Sequence, residues 1–210
     1  MKLEMADRIA AELLRELRPA CVRCEVGGSV RRRKPVVGDL EIVFIPQLED
    51  LKVDMFNTER VPETDAVIER MVESETLAWD LEVKRNGPLY KRLIHMATGL
   101  VVELFGARIE NWGLTYALRT GPGDFNKLLV SHEWQGGAMP HDMRMEGGYL
   151  WKRGERLETV TEDSFFEAMG LPCWEPEKRS VERLSAYLFH RQLERKVNRD
   201  LASYNRTTRK

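Results

Sequence analysis

Three acidic residues of this sequence could act together in metal chemistry. Asp39 and Glu41 stand two positions apart in an apolar, β-branched stretch, and Glu103 interrupts a second apolar stretch. Side chains two positions apart on a strand leave the same face of a sheet, so the first two carboxylates are expected side by side. If the two stretches form neighbouring strands, all three carboxylates converge, and oxygen ligands of this kind suit Mg²⁺ or Mn²⁺.

The segment just before these residues has the composition of a phosphate-binding turn. Gly28 and Ser29 offer backbone N–H groups and a hydroxyl. Arg31 and Arg32 follow closely and supply positive charge with fork-shaped donors. Two divalent ions about 3.5–4 Å apart would activate a hydroxyl nucleophile and stabilise a departing pyrophosphate. Together, the turn and the carboxylates predict nucleotidyl transfer, which neither would predict alone.

Each of these features also has a simpler interpretation. An Asp-x-Glu at a strand edge beside a basic turn is commonly a solvated hairpin, and Glu103 could pair with an arginine instead of a metal ion. Cys21 and Cys24 form a Cys-x-x-Cys pair, but no second Cys or His pair completes a tetrahedral zinc site. We therefore interpret these two cysteines as half-buried residues near a strand.

The hydrophobic pattern predicts the elements that must position these residues. Residues 3–18 repeat apolar side chains at helical spacing, and residues 21–26 and 40–45 have the composition of strands on either side of the glycine turn. Residues 47–62 are interpreted as a connection. The next elements are a helix at 63–76 and strands at 79–85, 89–96 and 100–105. Residues 1–106 are thus expected to form an α/β arrangement, with helices on one face of a mixed sheet.

The sequence changes character after Gly106. The predicted elements there are helices at 112–118, 124–134 and 162–169, strands at 143–145 and 149–152, and a charged helix from 177 to about 200. Thr161 is the expected N-cap of the helix at 162–169, because acidic residues fill the first turn that follows it. The expected domains are 1–106 with its short N-terminal helix, 107–180, and a basic helical tail at 181–210.

Composition limits the class of protein. The 210 residues are 42% hydrophobic and 32% charged, which is typical of a soluble globular chain. No apolar run approaches the roughly 18 residues of a membrane span, and the N-terminal segment lacks the continuous apolar core of a signal peptide. These features predict a cytoplasmic protein with no membrane partner. Net charge is −1, but basic residues concentrate at 31–34 and 191–210 and could bind phosphates locally.

Four short motifs follow one another along the chain. Residues 28–32 are Gly-Ser-Val-Arg-Arg and residues 38–41 are Gly-Asp-Leu-Glu. Residues 120–127 are Thr-Gly-Pro-Gly-Asp-Phe-Asn-Lys, and residues 174–179 are Trp-Glu-Pro-Glu-Lys-Arg. In order and spacing they resemble the motifs of the DNA polymerase X family, the polymerase β-like nucleotidyltransferases. The resemblance covers residues 1 to about 180 and rests on all four motifs.

The resemblance implies a nucleotidyltransferase palm, an α/β fold with helices on one side of a mixed sheet, followed by a small α+β thumb-like domain. It implies that the β and γ phosphates of an incoming nucleotide bind at the glycine turn, held by Gly28, Ser29, Arg32 and Gly38. Two Mg²⁺ ions, or Mn²⁺, would bind to Asp39, Glu41 and Glu103. By the same resemblance, Glu103 would be the base-like ligand near the primer 3′-hydroxyl.

Two further residues are assigned by the resemblance alone. Asn126 would reach the minor-groove edge of the nucleotide base, and Lys127 would face the template. The chain departs from the family at Glu41 and Glu103, which replace aspartates and alter the expected metal geometry and rate. At the family's aromatic pair it has Leu118 and Arg119, which predicts weak discrimination between ribose and deoxyribose. The family's amino-terminal lyase domain has no counterpart here, so a minimal palm-plus-thumb member is expected.

These observations lead us to expect a DNA-directed DNA polymerase in DNA repair or phage-type replication. Its partners would be dNTP (or NTP) and a DNA primer–template, and it would act as a monomer. The basic tail would hold backbone phosphates or form a solvated helix. Two alternatives stay open. One is a transferase that uses the same site on an RNA end, a protein or a small molecule, and the other is a non-catalytic DNA-binding accessory protein.

Overall fold

The computed structural model describes residues 1–52, 58–82 and 86–207. With 45% helix and 28% strand, it is a mixed α/β protein. Its helices are α1 (Leu3–Leu17), α2 (Gly28–Arg31), α3 (Glu63–Glu73), α4 (Trp112–Leu118), α5 (Gly123–Val130), α6 (Glu162–Ala168) and α7 (Val181–Thr207). Its strands are β1 (Cys21–Val26), β2 (Asp39–Pro46), β3 (Leu48–Lys52), β4 (Thr58–Pro62), β5 (Leu77–Trp79), β6 (Tyr90–His95), β7 (Leu100–Gly106), β8 (Met143–Glu146), β9 (Tyr149–Lys152) and β10 (Glu155–Leu157).

A mixed five-stranded sheet with the order β1-β2-β7-β6-β5 carries the first half of the chain. Strand β2 runs antiparallel to β1 and parallel to β7, and β6 is antiparallel to both of its neighbours. The parallel register places Glu41 opposite Glu103 and Asp39 opposite Val101. The two strands that carry the carboxylates are therefore neighbours, which meets the condition that the sequence analysis set for bringing the carboxylates together.

Side chains of β2 alternate between two apolar layers. Leu40, Ile42 and Phe44 pack with α1 and α3 in one buried cluster. Val43 and Ile45 face the opposite way, with residues of β7 and α4. Full burial of side chains of this size stabilises the fold by about 1.5–3 kcal/mol each. This burial on both faces fixes the register, so Asp39 and Glu41 cannot turn away from the second face without moving the core.

A second apolar cluster joins α4, α5, α6 and the small sheet β10-β9-β8. Its largest fully buried side chains are Phe125, Phe165 and Phe166. The first turns of α7 contribute Leu184 and Leu188 to the same cluster. The start of the expected tail is thus part of a hydrophobic core, while the boundaries near 106 and 180 stay predictions.

Several expected elements differ from the structure. Residues 47–62 are not a plain connection, because β3 and β4 pair antiparallel within them. This hairpin is largely exposed and buries too few apolar residues to give a sequence signal. The strand expected at 79–85 is instead Leu77–Trp79, and residues 83–85 lie outside the described residues. The expected helix 124–134 ends at Val130, and β10 was not predicted.

The two cysteines of β1 are more buried than expected. Cys21 and Cys24 both lie in the core, although residues three apart on a regular strand face opposite sides. The register of β1 against β2 shifts between Cys21 and Arg23, and this irregularity returns both side chains to the same face.

Within the described ranges, none of the helices combines the length and apolar character that crossing a membrane requires.

Candidate active site

Glu41 lies directly against the glycine turn. Gly28 has φ of 57°, in the left-handed region that favours glycine, and a Cβ built there would stand 2.0 Å from Glu41 Oε2. Any other residue at position 28 would displace the carboxylate. The turn and the acidic strand are therefore one unit, in which glycine gives Glu41 the room to approach.

Nearby arginines only partly compensate the negative charge of the β2 carboxylates. Burial, with Asp39 nearby, raises the pKa of Glu41 to about 7, and Arg119 offsets part of this effect. Burial also raises the pKa of Asp39, and the charge of Glu103 adds to it. Each shift shows that the negative form is disfavoured by the surroundings. A cation between the carboxylates would reverse that preference, so the donors fit a divalent metal in chemical type.

The Glu103 carboxylate accepts hydrogen bonds from side chains of the neighbouring strand β6. Its Oε1 accepts hydrogen bonds from the Tyr90 hydroxyl at 2.6 Å and from Arg92 Nη1 at 3.3 Å. Arg92 Nε in turn donates to the buried Asp80 at 2.8 Å. The arginine pairing that the sequence left open for Glu103 is therefore observed. Across the described residues, no three acidic, histidine or cysteine side chains are arranged as a metal-holding group.

Two side chains of the glycine turn carry a buried polar atom whose hydrogen-bonding capacity is unused within the described residues. Within the described residues, neither Ser29 Oγ nor Arg32 Nε has a hydrogen-bond partner. Buried polar atoms are rarely left unpaired, because each carries a desolvation cost of about 1–3 kcal/mol. Burial also lowers the pKa of Arg32. A hydroxyl and a guanidinium N–H can both donate to a phosphate oxygen, so the turn fits a phosphate group.

Residues of the second half of the chain contact this turn at several points. The Gly28 N–H donates to Arg119 O at 2.6 Å, so that backbone group is already engaged. Arg31 Nη1 donates to Thr120 Oγ1 at 2.7 Å, and Arg32 Nη1 donates to Thr120 O. Arg31 also lies over the ring of Tyr116, at 3.8 Å from its centroid. The segment that follows α4 therefore sets the position of α2.

Sequence reasoning missed the main partner of Arg31. Arg31 forms a two-pronged ion pair with Glu162, at 2.9 Å and 2.5 Å, and Arg179 Nη1 binds the same carboxylate at 2.7 Å. The sequence places Glu162 only in the first turn of a helix capped by Thr161, and the cap is confirmed by a 3.1 Å bond from Ser164 N to Thr161 Oγ1. Nothing in the sequence indicates a contact between residues 131 positions apart.

Three further residues were assigned to the site from the sequence: Asn126, Lys127 and Gly38. Of these, only Gly38 adjoins a carboxylate residue of β2. Asn126 Nδ2 donates to Leu118 O at 2.6 Å and to Gly121 O at 3.1 Å, so this amide fastens the turn between α4 and α5. Its Oδ1 is buried, and no partner for it lies within the described part of the chain. Lys127 is exposed on α5, and Gly38 is exposed just before Asp39. Gly38 has open space around it, so the structure gives no steric reason for glycine there.

No model of a known protein family matches this chain, and no curated protein matches it.

Proposed function

We propose that this chain is a nucleotidyltransferase of the DNA polymerase X type, which adds deoxynucleotides to the 3′-hydroxyl of a primer on template DNA. The observation that carries the proposal is the pairing of two kinds of unsatisfied group in one place. Ser29 Oγ and Arg32 Nε are buried donors without partners, and Asp39 and Glu41 are neighbouring carboxylates with raised pKa values. A triphosphate with its metal ions would satisfy both sets at once.

In this proposal the glycine turn binds the triphosphate. Ser29 Oγ and the Arg32 guanidinium would donate to phosphate oxygens. Because Ser29 Oγ and Arg32 Nε are closed to solvent in the unliganded chain, the turn would have to open slightly for them to do so. Gly28 acts through its small size, because its N–H already bonds to Arg119 O. Gly38 leaves open space before the first carboxylate. The Arg119 side chain, at 3.9 Å over the Phe105 ring, holds a further positive charge near Glu41.

Asp39, Glu41 and Glu103 would hold two divalent cations, Mg²⁺ or Mn²⁺. Bound cations of this kind supply Lewis-acid stabilisation of the attacking and leaving oxygens. Tyr90 and Arg92 fix the direction of the Glu103 carboxylate through the bonds to its Oε1, as second-layer partners of a ligand do. Glu103, beside the primer 3′-hydroxyl, would accept its proton.

The region after residue 106 would act as a small thumb that faces the base pair. Residues 125–127 carry the Phe-Asn-Lys sequence on α5, and Phe125 anchors this helix in the second core while Lys127 stays exposed. Asn126 would have to release its bond to Gly121 O or Leu118 O before it could reach a nucleotide base. A transferase that acts on a small molecule would not need a Phe-Asn-Lys helix beside a base pair. The presence of this helix therefore favours template-paired DNA as the acceptor.

Extension of a labelled primer tests the proposal, on a templated and an untemplated strand, with Mg²⁺ or Mn²⁺. Wild type should extend the primer according to the template, and Asp39→Ala should abolish extension. Glu12→Ala, which removes an exposed carboxylate of α1, is the matched control and should extend normally. Extension that ignores the template would indicate a template-independent nucleotidyltransferase. No extension with either metal would contradict the polymerase.

A further inference from the structure

A largely buried carboxylate binds two arginines at the junction of the two cores. Glu162 is 11% exposed, Arg179 is 1% exposed and Arg31 is 21% exposed. Burial alone would raise the pKa of Glu162, but the hydrogen bonds from Arg31 and Arg179 outweigh it and lower the pKa. Glu162 is therefore held in its charged form as the shared counter-ion of both guanidinium groups.

Arg179 fixes this carboxylate to the second core. Its Nε donates to Trp174 O at 3.0 Å, and its guanidinium lies 5.1 Å from the centroid of the Phe166 ring. Glu162 itself begins α6, a helix whose Phe165 and Phe166 are fully buried. One end of the ion network is thus rigid, since moving it would disturb the aromatic packing.

The other end of the network is the phosphate-binding turn. Helix α2 spans only Gly28–Arg31, and a single helical turn has little stability of its own. Arg31 binds Glu162, while the Nε of the next residue, Arg32, has no partner within the described residues. The charge of Arg179 also acts on Arg32. Glu162 neutralises positive charge that would otherwise drive the arginines apart.

We propose that Glu162 is a positioning residue for triphosphate binding. By holding Arg31 it fixes α2, so Ser29 Oγ and Arg32 Nε keep the orientation in which both donate to one phosphate group. The inference rests on the proposed function for its ligand, and it adds a residue that touches neither nucleotide nor metal. Loss of Glu162 weakens binding of the triphosphate while the carboxylates of β2 stay in place.

The chain offers a matched control for Glu162→Gln. Glu133 Oε1 also binds two arginines, Arg191 at 2.8 Å and Arg195 at 3.0 Å, and both lie on α7 away from the glycine turn. Glu133→Gln therefore removes the same charge from a bridge with two arginines, although this bridge is more exposed, with Glu133 at 25% and Arg195 at 56%. Glu162→Asp, which keeps the charge on a shorter side chain, serves as the conservative variant and should recover part of the lost affinity.

Two measurements test the inference on the full chain. The first is calorimetric titration with inorganic tripolyphosphate, for which Glu162→Gln should bind more than tenfold weaker than wild type and Glu133→Gln within twofold. The second is hydrogen–deuterium exchange of the backbone amides of residues 28–34 in the unliganded protein. Exchange in α1 and β2 of the same variant serves as the internal reference. Exchange at residues 28–34 should be more than tenfold faster in Glu162→Gln and unchanged in Glu133→Gln. In steady-state kinetics, KM for the nucleotide should rise more than kcat falls.

Exchange at residues 28–34 that matches wild type would overturn the inference, whatever the ligand proves to be. Tripolyphosphate binding by Glu162→Gln within twofold of wild type would overturn it as well. A wild type that does not bind tripolyphosphate contradicts the proposed function, while the exchange measurement still decides whether Glu162 positions the turn. If Glu162→Gln does not fold, Arg31→Lys replaces it, with an expected fivefold loss of affinity. Unchanged affinity and exchange in Arg31→Lys overturn the inference.

Discussion

Two charged clusters meet at α2, and they differ in how well their members are satisfied. On one side, Glu162 binds both Arg31 and Arg179, at distances of 2.5–2.9 Å. On the other side, Asp39 and Glu41 have raised pKa values, and Ser29 Oγ and Arg32 Nε lack partners within the described residues. A folded chain pairs its buried polar groups almost everywhere. This difference is expected if the first cluster is structural and if a ligand completes the second, as we propose.

The adjacent arginines Arg31 and Arg32 belong to different clusters. Both are partly buried, and both contact Thr120. Only Arg31 reaches a carboxylate within hydrogen-bond distance, and its pKa is raised: burial works to lower it, but the pairing with Glu162 prevails. Burial lowers the pKa of Arg32, and the nearby charges of Glu41 and Asp39 offset only part of this effect.

Breaking the satisfied cluster should have the largest effect on stability. Glu162→Ala leaves Arg31 and the buried Arg179 without their counter-ion, and such a change costs about 3–5 kcal/mol. Asp7→Ala is the control, because it removes the exposed partner of Arg33 from an ion pair of the kind that contributes about 0–1 kcal/mol. Urea unfolding at neutral pH measures both. Equal losses in the two variants would show that burial does not distinguish the pairs.

Neutralising a carboxylate of the unsatisfied cluster should increase the free energy of unfolding, whereas breaking the satisfied cluster decreases it. The pKa of Glu41 is about 7 in the folded protein, against an ordinary value of 4.5. A folded-state pKa above the unfolded value means that stability is present below about pH 4.5 and is lost as pH rises through 7. The loss is at most about 3 kcal/mol, since each pKa unit corresponds to 1.36 kcal/mol.

Glu41→Gln should therefore be more stable than wild type at pH 8, and its stability should fall less between pH 5 and 8. Thermal unfolding at several pH values without divalent metal checks this expectation. Adding Mg²⁺ or Mn²⁺ should stabilise wild type more at pH 8 than at pH 5, because the metal competes with protons for the carboxylates. Parallel pH profiles for wild type and Glu41→Gln would mean that Glu41 carries no unsatisfied charge.

Removing one unpaired donor should affect the ligand and leave the fold intact. Ser29→Ala deletes a buried hydroxyl that has no partner within the described residues, so the free energy of unfolding should not fall and should rise by up to the desolvation cost of about 1–3 kcal/mol. Its affinity for a nucleoside triphosphate should fall about tenfold or more, as expected for a hydrogen bond to a charged group worth about 1.5–3 kcal/mol. Calorimetry and urea unfolding separate the two effects. A destabilised Ser29→Ala with wild-type affinity would place this hydroxyl in the structural cluster.

Sequence patterns predicted much of this arrangement because its signals are local. The apolar, β-branched run at residues 40–45 indicated a strand, the spacing of Asp39 and Glu41 placed both carboxylates on one face, and Glu103 interrupted a second apolar strand. Glycine at position 28 indicated a turn. These signals need only the period of a strand and the conformational freedom of glycine.

The features that the sequence did not reveal depend on tertiary contacts. Glu162 and Arg31 meet only after both cores form, so Arg31 was assigned to the phosphate site although its side chain points to Glu162. Asn126 was assigned to a base edge, which stays a prediction, and the sequence did not indicate its hydrogen bonds to backbone carbonyls of the α4–α5 turn. The β3–β4 hairpin is exposed, and without a buried face its strands have no hydrophobic period.

Joint binding of metal and nucleotide tests most directly whether the unsatisfied cluster is a ligand site. Calorimetric titration with a deoxynucleoside triphosphate, with and without Mg²⁺, compares wild type with Asp39→Asn. Wild type should bind the nucleotide more tightly when Mg²⁺ is present, because the metal links the triphosphate to the carboxylates, and Asp39→Asn should lose this gain. Equal nucleotide affinity of the two proteins in Mg²⁺ would contradict the site, and with it the proposed nucleotidyl transfer.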